Sequence, residues 1–244
     1  MISRFQTLVK KSDSPKLLLE VFEFAKKSYE GMVRFSGENY ITHATNVSLI
    51  LDTLNIDQKT IIAGILHDIT HLMSPADKIN ILEEVSKKFG QEISGLVEKV
   101  SEVKKIYYPL NLYFSPLNGV MLAEKNNKIF SKEKTENIRK MFFAIAQDLR
   151  VILIEIASRI DGLNSIDKMP KENQKSYALE TLEIFVPIAN RLGLGEIKTK
   201  LEDLAFAHLY YKEFKWLQEN IKEKYETRQR YLKKLIPHLK KILT

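Results

Sequence analysis

The sequence predicts an all-α fold, and three observations lead to this expectation. Apolar residues recur at intervals of three and four along most of the chain, which is the helical period. No segment alternates apolar and polar residues between hairpin turns, as half-buried strands would. The 244 residues, of which 44% are hydrophobic and 28% are charged, are enough to bury a large core. We therefore expect a bundle of helices.

The N-terminal part of the chain contains several amphipathic helical patterns. Apolar stripes cover residues 17–25 and 47–54. Between them, residues 34–42 ("RFSGENYIT") are polar and contain a glycine, which predicts a loop. Asp57 is suited to cap the next helix, which should continue through Leu66, because its carboxylate can accept a hydrogen bond from an exposed backbone N–H group.

The longest helical pattern runs from Glu136 to Leu163. Its middle, "VILIEIASRI", is apolar on nearly all sides, which predicts a helix in the centre of the fold. Residues 107–119 ("YYPLNLYFSPLNG") contain two prolines and show no periodicity, so we expect a long irregular segment that borders a pocket. A glycine-rich turn at 191–195 precedes long amphipathic helices that are rich in lysine.

Composition excludes some classes of site and location. The chain contains no cysteine, so disulfides and thiolate metal sites are excluded. No stretch approaches 18 consecutive apolar residues, and the N-terminus lacks the apolar region of a signal peptide. We therefore expect a cytoplasmic protein with no membrane partner.

The basic charge is concentrated near the C-terminus. The formal net charge is +7, and residues 212–244 contribute ten Lys/Arg and four Asp/Glu, a net +6. The rest of the chain is nearly balanced. This distribution favours a solvated, lysine-rich helix face over a nucleic-acid-binding domain, and it leaves open an interaction with ribosomal RNA or a partner protein.

The stretch "GILHDITHLM" (64–73) contains the first candidate for chemistry. His67 and Asp68 stand among core-forming residues, and burying two ionisable groups there is costly unless something pairs with them. A divalent metal would satisfy them, since imidazole and carboxylate together suit Mn, Fe, Zn or Mg. A satisfied buried pair is the alternative. His43, at the start of the preceding helix, would return beside His67 if the two helices are neighbours.

Six stretches carry a resemblance to a known family, and they occur in the family's order. They are "RFSGENYITHATNVSLIL", "IIAGILHDIT", "FGQEISGLVEKV", "ENIRKMFFAIAQDLRVILIEIASRI", "LETLEIFVPIANRLGLGEIKTKLEDLAF" and "RQRYLKKLI". They resemble the N-terminal region of the RelA/SpoT stringent-response enzymes from about residue 20 onward. The resemblance implies an HD-domain helical bundle over 1–195, followed over 196–244 by long helices that lead toward an alarmone synthetase domain. It also implies that the expected synthetase domain would begin about where this chain ends.

The same resemblance implies an activity and a metal site. The family's HD domain uses Mn²⁺ to remove the 3′-pyrophosphate of ppGpp and pppGpp. Three of its metal ligands match His43, His67 and Asp68, whereas the fourth, an aspartate, is replaced by Ser158. Loss of one carboxylate is expected to weaken the affinity for metal, so Mn²⁺ occupancy is doubtful.

At other functional positions of the family, this sequence has either a different residue or the matching one. The family's catalytic Glu-Asp pair falls on His71 and Leu72, so no catalytic residue is assigned, and a substrate-binding asparagine falls on Gly162. Leu72 cannot take a proton from water as a carboxylate can. The matching substrate-binding positions, which include the loop expected beside guanine, are Arg34, Ser36, Gly37, Arg159, Asn190 and Arg191. For Arg191 a salt bridge at a helix C-terminus is the structural alternative.

Two residues are candidates to compensate for these losses. His71 is four residues after His67, and Asp161 is three after Ser158, so each shares a helix face with the residue it would assist. Ordinary roles, as a core-edge histidine and an end-of-helix carboxylate, are the alternatives.

Three functional hypotheses follow from these observations. The first is a degenerate hydrolase domain that retains a guanine-nucleotide pocket and regulates an attached synthetase. The second is an active Mn²⁺-dependent (p)ppGpp hydrolase whose rearranged site uses Asp161 or His71. The third is a helical interaction module whose basic C-terminal helices bind the ribosome or a partner protein. The altered carboxylates favour the first hypothesis.

Overall fold

The computed structural model describes residues 2–34, 36–70, 73–107 and 147–220. In these ranges the regular structure is helical, apart from an isolated antiparallel bridge between Val33 and Asn39. The all-α prediction is therefore confirmed. None of the helices in the described ranges is both long enough and apolar enough to cross a bilayer.

The chain divides into two compact units, Met1–Pro170 and Lys171–Thr244. This structural boundary does not test the predicted boundary between functional regions at residue 195, which stays a prediction. The helices described in the first unit are α1 (Ile2–Lys11), α2 (Pro15–Ser28), α3 (Tyr40–Asp52), α4 (Gln58–Leu66), α5 (Pro75–Phe89), α6 (Gln91–Tyr107) and α7 (Leu149–Asn164). A short 3₁₀ turn, Ile166–Lys168, follows α7.

The core of the first unit lies between four of these helices. α3 packs on α4 and α7, and α6 packs on α4 and α7 from another side. Their inward faces carry fully buried aliphatic side chains, among them Val47, Ile65, Val100 and Ile154. Removing this much apolar surface from water is the main stabilising contribution to a bundle of this kind.

The second unit is described by itself. It contains α8 (Lys171–Glu180), a π-type turn (Thr181–Phe185), α9 (Val186–Arg191) and α10 (Gly195–Leu209), and residues 211–220 are helical. The predicted glycine-rich turn lies between α9 and α10, where Gly193 has φ +73°, a conformation that glycine adopts at little cost. The rest of the predicted basic helices, residues 221–244, lies outside the described residues.

Two helix starts depend on carboxylate capping, one predicted and one not. The Asp57 carboxylate accepts a hydrogen bond from the Thr60 N–H group at 3.0 Å, which confirms its predicted role as the N-cap of α4. Asp148 does the same for α7, accepting from the Arg150 N–H group at 3.0 Å.

The Asp148 cap shows that the prediction of one continuous helix from Glu136 to Leu163 was wrong. The backbone of Asp148 is extended, with φ −158° and ψ 108°, so α7 begins at Leu149. The Asp148 carboxylate also binds the Arg150 guanidinium, at 2.8 Å to Nη2, which stabilises the break. The predicted central position of the apolar stretch is confirmed, because Ile152 and Ile156 are fully buried. Residues 108–146 lie outside the described residues, so the predicted irregular segment stays a prediction.

Gly64 allows α3 and α4 to lie close together. A Cβ atom added to Gly64 would overlap with the side chain of Leu51 on α3, which is fully buried. A leucine enclosed in this way has little room to move aside. The close approach of the two helices therefore depends on the absence of a side chain at position 64.

We predict that Gly64→Ala lowers the free energy of unfolding by about 1–3 kcal/mol, because the added methyl group overpacks the α3–α4 contact. Gly95→Ala in α6 is the matched control. A Cβ atom there meets nothing within 4 Å, and we expect a gain of about 0.5–1 kcal/mol from helix propensity. Urea denaturation of both variants measures the difference, and equal stability would show that Gly64 is not needed for the packing.

Candidate metal centre

Three side chains that could hold a metal converge in the first unit. Within the described residues, His43, His67 and Asp68 each offer one ligand atom, and these atoms lie within 4.8 Å of one another. All three are buried, with relative exposures of 0%, 1% and 6%. The predicted convergence is therefore confirmed, and we call this group the His-His-Asp cluster.

The cluster forms where the start of α3 meets the end of α4. His43 lies in the first turn of α3, and His67 is the residue at which α4 ends. A short connection, residues 53–57, turns the chain back, so α4 runs beside α3 in the opposite direction. Asp68 follows His67 directly and reaches the same point.

The spacing of the three ligand atoms fits one divalent cation. His67 Nε2 lies 3.2 Å from His43 Nε2 and 3.3 Å from Asp68 Oδ2, and His43 Nε2 lies 3.6 Å from the same oxygen. Bonds of about 2.1 Å would separate ligand atoms by about 3.0 Å at right angles and about 3.4 Å at tetrahedral angles. The observed separations match these values.

The protonation of His67 also suits a metal ligand. Its Nδ1–H group donates to the Gly64 carbonyl at 2.7 Å, which leaves the lone pair on Nε2 facing the cluster. Burial lowers the pKa of His67 well below its ordinary value against the opposing effect of Asp68, and the charge of Lys104 acts in the same direction as burial. His67 is therefore neutral at neutral pH.

Asp161 holds His43 from the side opposite the cluster. The Asp161 carboxylate accepts a hydrogen bond from His43 Nδ1 at 2.6 Å, so Nε2 of His43 faces His67. With the ring proton of each histidine on Nδ1, both Nε2 atoms would be available to one cation. The Asp161 carboxylate thus lies at the other ring nitrogen of His43, and its role as a substitute ligand stays a prediction.

Two further side chains hold the Asp161 carboxylate in place. Arg34 donates to its Oδ2 at 3.2 Å, and Asn46 forms another hydrogen bond with the carboxylate. Burial raises the pKa of Asp161, and the Arg34 charge and the Asn46 hydrogen bond oppose this rise. Sequence reasoning missed Asn46, although it stands three residues after His43, on the same face of a helix.

Ser158 lies where the resemblance implies the fourth ligand. Its Oγ atom is 3.2 Å from His43 Nε2, and the side chain is buried. The position therefore faces the cluster, but it offers a neutral hydroxyl group instead of a carboxylate. The predicted change of the fourth ligand stays a prediction.

Lys104 is a member of the site that sequence reasoning missed. Its ammonium group donates to Asp68 Oδ1, and its Nζ atom lies 3.9 Å from Glu155 Oε1 on α7. The signal was available, because Lys104 is four residues after the buried Val100 and so continues the apolar stripe of α6. A lysine on such a stripe has to find a buried partner.

Tyr29 was also missed, and it holds the backbone on which the cluster is built. Its hydroxyl group donates to the Ile65 carbonyl at 3.0 Å and accepts from the Asp68 N–H group at 3.3 Å. Burial raises the pKa of Tyr29 well above its ordinary value, so the hydroxyl keeps its proton. Tyr29 therefore fixes the end of α4.

The predicted substrate-binding residues fall in different places. Arg34 and Ser36 lie in the loop before α3, where Gly37 turns the chain with φ +76°. Arg159 is only 2% exposed and lies inside α7, and Gly162 is also buried. Of these residues, Arg34 lies next to the cluster. Its Nη1 atom is 2.8 Å from His43 Nδ1 and 3.2 Å from Asp161 Oδ2.

The remaining predicted residues lie in the second unit or outside the described residues. Asn190 and Arg191 end α9 in the second unit, where both are exposed. His71 and Leu72 lie outside the described residues. The roles of these four residues stay predictions.

The sequence is similar to a protein-family model and to several known proteins. The HD domain model HD_4 matches residues 21–195. A GTP pyrophosphokinase of Myxococcus xanthus is 35% identical over 216 residues, covering 88% of this chain and 26% of the relative. A guanosine-3′,5′-bis(diphosphate) 3′-pyrophosphohydrolase of Aquifex aeolicus is 36% identical over 223 residues, covering 91% of this chain and 28% of the relative.

A further relative is named for two activities. The bifunctional (p)ppGpp synthase/hydrolase SpoT of Escherichia coli is 32% identical over 227 residues, which cover 93% of this chain and 29% of the relative. The chain thus spans less than a third of the length of each of these three relatives.

We predict that, with metal removed by EDTA, the free energy of unfolding falls as the pH drops below about 6.5. The pKa of His67 is lower in the folded chain, so in this range the unfolded chain binds a proton that the folded chain does not. The contribution of His67 is complete above that pH and is lost below it, by up to about 1.4 kcal/mol per pH unit.

Urea denaturation between pH 7.5 and 5.5 measures this dependence. The free energy of unfolding of His67→Gln should depend less steeply on pH than that of the unmodified chain. An unchanged slope in His67→Gln would refute the neutral state of His67.

Proposed function

Because the chain belongs to the HD-domain family, as the N-terminal hydrolase region of a RelA/SpoT-type enzyme, we propose that it binds ppGpp or pppGpp and hydrolyses them slowly. The observation that carries this proposal is the hydroxyl group of Ser158, 3.2 Å from His43 Nε2, where the resemblance implies a carboxylate ligand. The cluster around it is otherwise complete and well ordered by its neighbours.

The His-His-Asp cluster would hold the metal, which we propose to be Mn²⁺ from the resemblance. A bound divalent cation would supply Lewis acidity, polarising a phosphoryl oxygen and easing the deprotonation of water. The protein groups would offer a metal little net negative charge, because histidines bind metal as neutral ligands and Lys104 offsets the charge of Asp68. Low metal affinity follows from this balance.

Besides weak metal binding, we expect slow removal of the proton from the attacking water. Hydrolysis needs a group that accepts this proton, and a carboxylate is suited to the task. The resemblance implies such groups at the positions of His71 and Leu72, and a leucine cannot accept a proton. Slow turnover is therefore expected even when metal is bound.

Nucleotide binding depends on other residues of the chain. The planar Arg34 guanidinium is held by Asp161 beside the cluster, and such a group suits phosphate or a stacked base. Ser36 and Gly37 are in the same loop, and we propose that this loop contacts guanine. Arg159, Asn190 and Arg191 are the further substrate positions that the resemblance implies.

The proposed biological role is regulatory and cytoplasmic. A domain that binds an alarmone without degrading it quickly can report the alarmone concentration to a synthetase domain in the same polypeptide. The relatives include a protein named as a bifunctional (p)ppGpp synthase/hydrolase, which supports this pairing of activities.

The rival hypotheses receive less support. An active rearranged site that uses Asp161 would require its carboxylate to leave Arg34 and the Nδ1 side of His43. A rearranged site that uses His71 depends on a residue outside the described ranges. The interaction module, with the ribosome as its partner, rests on the basic charge of residues 212–244, most of which also lie outside.

We predict tight binding and slow turnover of ppGpp by this chain. Calorimetry should detect binding of ppGpp, while GDP release with millimolar Mn²⁺ should be slow and should fall further in His43→Ala, which loses a cluster ligand. Rapid Mn²⁺-dependent release of GDP by the unmodified chain would refute slow hydrolysis and support the active rearranged site.

We predict that Ser158→Asp tightens Mn²⁺ binding by about tenfold or more, because a charged oxygen then faces the cluster in place of a neutral one. Asn164→Asp adds the same charge to an exposed position of the same helix and should leave the affinity unchanged. Calorimetric titration with Mn²⁺ compares the two, and equal affinities would contradict the assignment of position 158.

Turnover should need more than the fourth ligand. We expect substantial ppGpp hydrolysis in the triple variant Ser158→Asp, His71→Glu, Leu72→Asp, with strongly non-additive effects because the groups act as a unit. GDP release by the single and triple variants tests this, and full activity in Ser158→Asp alone would show that no further carboxylate is required.

A further inference from the structure

The two oxygens of the Asp68 carboxylate face different partners. Oδ2 faces the histidines, at 3.3 Å from His67 Nε2 and 3.6 Å from His43 Nε2. Oδ1 accepts a hydrogen bond from the ammonium group of Lys104. The same carboxylate therefore serves the metal position on one side and a buried lysine on the other.

Lys104 is positioned by α6 between two buried carboxylates. Its side chain is 12% exposed, and its Nζ atom lies beside Asp68 and 3.9 Å from Glu155 Oε1. Asp68 and Glu155 are 6% and 3% exposed. Burying carboxylates to this extent is unfavourable unless a cation accompanies them.

We propose that Lys104 is the built-in counter-cation of this centre. It stabilises Asp68 when no metal is bound and lowers the affinity for a divalent cation, so that the centre fills only when such a cation is abundant. This inference deepens the proposed function and rests on its metal site.

The other positive groups of the site do not take over this role. His67 and His43 face Oδ2 of Asp68, at 3.3 Å and 3.6 Å, and His43 also contacts Asp161 through Nδ1. Arg34 pairs with Asp161, on the far side of His43. Lys104 thus supplies the positive charge that lies directly against Asp68.

Competition between Lys104 and a metal follows from charge. A divalent cation held by Oδ2 and an ammonium group on Oδ1 of the same carboxylate repel each other at short range in a site screened from water. The lysine stem is flexible, and Glu155 offers its ammonium group a second carboxylate. We therefore infer that metal binding moves the Lys104 ammonium away from Asp68 toward Glu155.

The variant Lys104→Met tests the proposal, because methionine keeps an unbranched apolar stem and removes the charge. In EDTA we expect its melting temperature to fall by several degrees, since Asp68 and Glu155 lose their cation. In calorimetric titration with Mn²⁺ we expect its affinity to rise by tenfold or more. Lys104→Arg keeps the charge and should restore both the stability and the weak affinity.

Lys59→Met is the matched control. Lys59 also forms an ion pair with a carboxylate, that of Glu92, but the two side chains are 57% and 46% exposed. Such a surface pair contributes little to stability. We expect neither the melting temperature nor the Mn²⁺ affinity to change in this variant.

The outcomes separate the two proposals. Equal or weaker Mn²⁺ binding by Lys104→Met, with binding by the unmodified chain intact, would overturn the counter-cation alone. No Mn²⁺ binding by any variant, Ser158→Asp included, would overturn the metal centre and this inference with it. If Lys104→Met does not fold, the double variant Lys104→Met, Glu155→Gln removes opposite charges together and is titrated in its place.

Discussion

The constraint on which the rest of the site depends is the burial of the Asp68 carboxylate at the end of a helix made of apolar residues. A carboxylate in such a place needs partners for both oxygens and for its backbone. Lys104 donates to Oδ1, Oδ2 faces the two histidines at the proposed metal position, and the Tyr29 hydroxyl group accepts from the backbone N–H group. These partners come from α2, α3, α4 and α6, so the centre and the bundle are stabilised together.

The supports of the cluster do not require a fourth ligand. Asp161 orients His43, and Gly64 orients His67, whether position 158 carries a carboxylate or a hydroxyl group. Ligand geometry and ligand charge are therefore separate properties of this site. Under the proposed function, nucleotide binding would therefore be separable from hydrolysis.

Patterns in the sequence predicted the helices, the Asp57 cap and the meeting of His43 with His67, because each follows from local periodicity or from a short connection. They did not predict the break at Asp148, since an aspartate within an apolar repeat is compatible with either a helix surface or a cap. They also did not predict which nitrogen of His43 Asp161 meets, or that Lys104 reaches Asp68. Those facts depend on side-chain directions between helices far apart in sequence.

Gly64 contributes to the structure in two ways. The absence of a side chain leaves room for Leu51, and its carbonyl group accepts a hydrogen bond from His67. A substitution at Ser158 changes the chemistry of the centre at little expense to packing, whereas one at Gly64 disturbs the core of the bundle. Packing therefore restricts which residues fit at position 64 and leaves position 158 freer to vary. The stability of the bundle and the chemistry of its metal position thus depend on different residues.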